Sequence, residues 1–126
     1  MTNKGARYLE LLQRAVLQFI ENLEECVFTD DSDQAVFAVI NLFFKVMPQE
    51  TLMNHFVRHV LPFKTKIKDQ DKDFFIENDT IFAGLPQTEL SRFREKILAL
   101  DEEDIKVIWS HFSIMLLLVE RYKKEQ

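Results

Sequence analysis

Two glycines and three prolines in 126 residues leave little material for tight turns. All-β folds and glycine-rich phosphate loops consume such residues, so both are disfavoured and a helical bundle is favoured. One cysteine, Cys26, excludes an internal disulfide and suits a reducing compartment. Apolar runs reach only six residues, as at 114–119, far short of the roughly 20 that cross a bilayer. Residues 1–10 (MTNKGARYLE) lack a hydrophobic run before a small-residue cleavage site, so secretion is not expected. Catalytic signatures are missing as well. There is no Gly-x-Ser-x-Gly, no phosphate loop and no glycine-flanked polar cluster, and nothing places two carboxylates across a cleft. The sequence therefore predicts a protein that is not an enzyme and needs no cofactor.

What the chain does have is phenylalanine, twelve of them, beside a single tryptophan, Trp109. With 47% apolar and 29% charged residues, the composition is that of an ordinary globular protein. No linker, repeat or low-complexity tract divides it, so residues 1–126 read as one helical domain. The expected fold is all-α, a compact bundle of five to seven helices around a central apolar helix at 33–47. That stretch, DQAVFAVINLFFKVM, is apolar at eleven of fifteen positions. A helix apolar on nearly every side is expected to be buried on nearly every side.

Around it the periodicity predicts the following order. A first helix from about 3 to 27 carries Tyr8, Leu12, Ala15, Phe19, Leu23 and Cys26 on one stripe, widened by Leu9, Val16, Ile20 and Val27. The acidic turn at 29–33 supplies N-cap oxygens and favourable charge for the central helix. Pro48 stops that helix, and a third runs from about 49 to 61 with Leu52, Phe56, Val57, Val60 and Leu61 inward. Pro62 breaks it, and a short helix around Phe63, Lys66, Ile67 and Gln70 can follow. Residues 69–88 are irregular, anchored by Phe74, Phe75, Ile76, Ile81, Phe82 and Leu85. Thr88 opens a helix bearing Leu90, Phe93, Ile97 and Leu100. Asp101 caps the last one, which aligns Ile105, Ile108, Trp109, Phe112, Met115, Leu116, Val119 and Tyr122.

The net charge of −5 is unevenly spread: −4 over residues 1–44, +4 over 45–68, −7 over 69–105 and +2 beyond. The basic segment holds Lys45, Arg58, Lys64, Lys66 and Lys68. One basic segment on an acidic chain makes a poor nucleic-acid binder, which needs many phosphate contacts. It can steer a protein partner instead. Phe43-Phe44 and Phe74-Phe75 point to a partner surface or a dimer seam, because neighbouring helical positions diverge by about 100° and cannot share one face. The expected partner-binding residues are thus Lys45, Arg58, Lys64, Lys66, Lys68, Phe74 and Phe75, with a protein or a second copy as partner. His55 and His59 stand four apart, as a zinc pair would, but only Cys26 and His111 could complete a site, and no metal is expected. Asp69, Asp71 and Asp73 open like a calcium loop. Phe74 and Thr80 then stand where the glycine and the chelating glutamate belong, so calcium is not expected either.

Three features carry a resemblance: the break Leu61-Pro62-Phe63-Lys64, the aspartates Asp71 and Asp73 before Phe74-Phe75, and Ile108-Trp109 followed by Phe112, Met115 and Tyr122. Over roughly residues 36–122 the chain resembles a family of small uncharacterised helical proteins of giant (nucleocytoplasmic large) DNA viruses. It departs from that pattern in the helix holding Phe93, where a second tryptophan is expected. The resemblance implies a viral origin and a place in the host-cell cytoplasm or nucleus, or in the virion. It implies no activity and no site residue. Together these readings predict a viral protein-interaction module, with a structural virion component or a nucleic-acid-associated factor as alternatives.

Overall fold

Residues 3–26, 28–71, 95 and 99–125 are described by the computed structural model, Val36 by its backbone alone. The fold is all-α, with no strand among the described residues. In order come α1 (Asn3–Cys26), α2 (Asp31–Val46), α3 (Gln49–His59), a 3-10 turn (Leu61–Phe63), α4 (Lys64–Lys68) and α5 (Glu102–Lys124).

Among the described residues the helix with the most extensive packing is α1, which lies against α2, α3 and α5. Its apolar stripe is wide enough for this role: Leu9, Leu12, Val16, Phe19, Ile20 and Leu23 are all buried. Cys26 departs from the expected stripe. It sits in the last turn on the edge of the buried stripe, in line with half-buried Tyr8 and Ala15, and its thiol is exposed with the Asn22 amide 3.9 Å away.

The expectation of a central helix at 33–47, enclosed on nearly every side, is corrected. α2 lays Phe37 (3% exposed) and Ile40 (8%) into the core, while Val39 (67%), Leu42 (59%) and Val46 (69%) are exposed. The helix is apolar on two opposite faces, and the described chain covers one of them. Phe44 joins the core and Phe43 is half-buried beside it, their rings edge to face at 5.2 Å. Asp30 takes the N-cap position without a side-chain cap bond, and Asp31 and Asp33 lie in the positive first turn.

Two glutamines tie α1 to α2. The Gln13 amide points at the backbone carbonyls of Phe44, Lys45 and Met47 (3.4, 3.3 and 3.4 Å), where α2 runs out of intrahelical donors. Its carbonyl accepts from Gln49 at 3.0 Å. At the other end the Gln34 amide donates to Glu24 and Phe28 carbonyls, both at 3.2 Å, and closes α1 in the same way. Phe28 then stacks on Phe37 with centroids 4.4 Å apart.

Pro48 occupies the N-cap of α3 rather than its first turn, and the chain bends by 105° between α2 and the α3–α4 segment. Leu52, Met53 and Phe56 face the core from α3. The helix stops at His59, and Pro62 sits in the 3-10 turn. The short helix expected after it is α4, anchored by fully buried Ile67. It ends with Gln70 left-handed (φ 56°), which lets the Asp71 amide reach back to the Lys66 carbonyl at 3.0 Å.

α5 follows the sequence pattern closely. Asp101 accepts from the Asp104 amide at 2.9 Å as N-cap, and all eight expected inward residues are buried. The anchors at 74–85 and most of the helix expected from Thr88 lie outside the described residues; Leu100, its last inward position, is half-buried against the core.

Candidate functional site

The basic segment is displayed along α2, α3 and α4. Lys45, Arg58, Lys64 and Lys68 are exposed and Lys66 is half-buried. α4 is short and, among the described residues, buries Ile67 alone, so its alternating lysines project around that anchor. Phe74 and Phe75, the aromatic half of the expected surface, lie outside the described residues.

Lys68 does not stand free. Its Nζ is 3.5 Å from Oε1 of Glu120 on α5, at a partly exposed pair. That oxygen is inaccessible to solvent and makes no hydrogen bond among the described residues, so the pairing is one of charge. Glu120 divides an open groove into two adjoining hollows. One, about 280 Å³, is lined by Tyr8, Leu117, Glu120, Arg121, Lys124 and Glu125. The other, about 260 Å³, is lined by Lys68, Ser113, Leu116, Leu117 and Glu120. Leu117, 48% exposed, forms the shared apolar wall, and Ile114 and Val107 continue the exposed apolar line along α5. Such a groove offers a leucine-lined floor ringed by three cations and two carboxylates, which suits a mixed apolar and charged side-chain surface.

His55 and His59 meet with ring centroids 4.8 Å apart, both half-buried. Among the described residues no three histidine, cysteine or acidic side chains group as metal ligands would. Cys26 is exposed at the end of α1, and His111 lies against Phe19 with ring centroids at 5.2 Å.

Burial holds His111 below the ordinary histidine range; His59 is lowered by burial, then by the charges of His55 and Arg58. Each therefore binds fewer protons folded than unfolded, where the pKa is near 6.5. Their contribution is complete above that value and is lost as the pH falls from it through the lowered folded value. The expected result is a denaturation midpoint that drops as the pH falls below about 6.5, with a shallower fall in His59→Gln/His111→Gln. Equal slopes in the two proteins would remove the histidines from that account.

Comparisons of the chain with protein-family models, curated proteins and solved structures find no match. The site thus rests on its own geometry. Among the described residues, no single helix is long and apolar enough to cross a membrane.

Sequence reasoning found the basic segment but missed Glu120, Leu117 and the groove they share with Lys68. The available signal was Glu120 itself, a carboxylate that ends the apolar run at 114–119. The second missed feature is the exposed line Val39, Leu42 and Val46, whose signal was an α2 more apolar than one buried face requires.

Proposed function

We propose that this protein is a non-enzymatic interaction module that binds a protein partner, or itself, through apolar helix faces flanked by charge. The observation that carries this is the pair of exposed apolar lines, Val39, Leu42 and Val46 on α2, and Val107, Ile114 and Leu117 on α5. Large apolar side chains grouped on an open surface are a binding resource rather than a folding one. Lys45 stands next to Val46 on α2, and exposed Arg58 and Lys64 on the following helices add positive charge for steering. The resemblance to the giant-virus family supports a viral protein acting in the host-cell cytoplasm or nucleus, or in the virion. The sequence pattern between 69 and 100 supports a full bundle of five to seven helices.

The test captures partners on the immobilised chain, identifies them by mass spectrometry and re-measures each as a purified protein. With Arg58→Glu/Lys64→Glu, association at low salt is expected to slow roughly tenfold and to depend less on salt, with the denaturation midpoint unchanged. An unchanged rate would remove the basic segment from recognition. Affinity that survives both Leu42→Glu and Leu117→Glu would overturn the reading as a whole.

A further inference from the structure

The exposed face of α2 has a spacing of its own. Ala35, Val39, Leu42 and Val46 follow one another at steps of four, three and four, and all are exposed. This is the a/d rhythm of a helix that seats against another helix, with β-branched valines at one position and leucine at the other. Phe37, Ile40 and Phe44 fall on the opposite side, where α2 meets its own core. No charged residue interrupts the line.

We infer that this face is the seam of a homodimer in which α2 pairs antiparallel with α2 of a second copy. The inference rests on the protein-interaction reading above and names its partner. Two observations favour a second copy over an unrelated protein. The seam is self-complementary: run antiparallel about its midpoint, Val39 meets Leu42 of the other chain and Ala35 meets Val46. The charges at its two ends also match each other. Asp30 and Asp31 are exposed at the positive end of α2 and Lys45 is exposed at the negative end, so antiparallel copies set acidic ends beside basic ones and oppose their helix dipoles. Parallel copies would place like charges together. About three turns of helix make a small seam, so the association is expected to be weak and dependent on concentration.

Sedimentation velocity of the full chain between about 1 and 200 μM tests this. The expected result is a monomer–dimer equilibrium that Leu42→Glu weakens by at least about tenfold, while its denaturation midpoint at the lowest concentration stays that of the parent. Lys45→Glu is expected to weaken the dimer and Asp31→Lys in the same chain to restore it; no effect of either would overturn the antiparallel arrangement. A chain that stays monomeric throughout overturns the dimer, and so does one whose dimer is broken by Leu117→Glu and not by Leu42→Glu. Both outcomes leave the interaction reading standing on the α5 groove. A Leu42→Glu chain that unfolds more readily as a monomer would show the face covered from within the same chain, which also overturns the proposal.

Discussion

Trp109→Ala is expected to lower the free energy of unfolding by about 3–5 kcal/mol, the range for emptying a large aromatic site that cannot collapse. Trp109 is 1% exposed, belongs to the buried stripe of α5 and lies 6.3 Å from the Phe112 ring. Phe112 in turn meets Phe19 edge to face at 5.4 Å, so the indole supports an aromatic contact between α5 and α1. Since domains of this size hold only about 5–15 kcal/mol in total, the variant should sit near the limit of folding. Urea denaturation followed by circular dichroism measures it, and Trp109→Phe should recover most of the loss. A cost below about 1 kcal/mol would mean that α5 is not packed against α1 as described.

The second large effect separates the two faces of α2. Phe37→Ala should cost about 3–5 kcal/mol, because the ring is buried against Phe28 and α1. Leu42→Ala, measured at concentrations too low for association, should change stability by no more than about 0.5 kcal/mol, as exposed positions do. Equal costs would restore the enclosed helix that the composition of residues 33–47 predicts.

That contrast marks where the sequence was readable. The final helix was legible residue by residue because one apolar stripe and one capping aspartate fix its start and its inner face, from Asp101 to Tyr122. Pro48 and Pro62 marked real interruptions, since a missing donor and a fixed φ act locally. The centre of the bundle was not legible. Periodicity reports how many faces of a helix are apolar, not which neighbour covers them, so α2 outranked α1 on composition although α1 has the more extensive packing among the described residues. Cys26 failed for a related reason: it shares the edge of the stripe with Tyr8 and Ala15, which are themselves only half-buried. The groove escaped because Lys68 and Glu120 are far apart in sequence and meet only through the packing of α4 on α5.

The two glutamines have a consequence for how α2 is offered to anything outside. Gln13 reaches the carbonyls at the end of α2, and Gln34 those of Glu24 in the last turn of α1 and of Phe28 just beyond it, so the pair is pinned at both ends. A helix held at one end can roll about its axis; one held at both ends cannot roll or slide without losing a pin. The outward face of α2 is therefore preorganised. Little orientational entropy remains to be lost on contact, and a short seam can bind more tightly than its area alone would suggest.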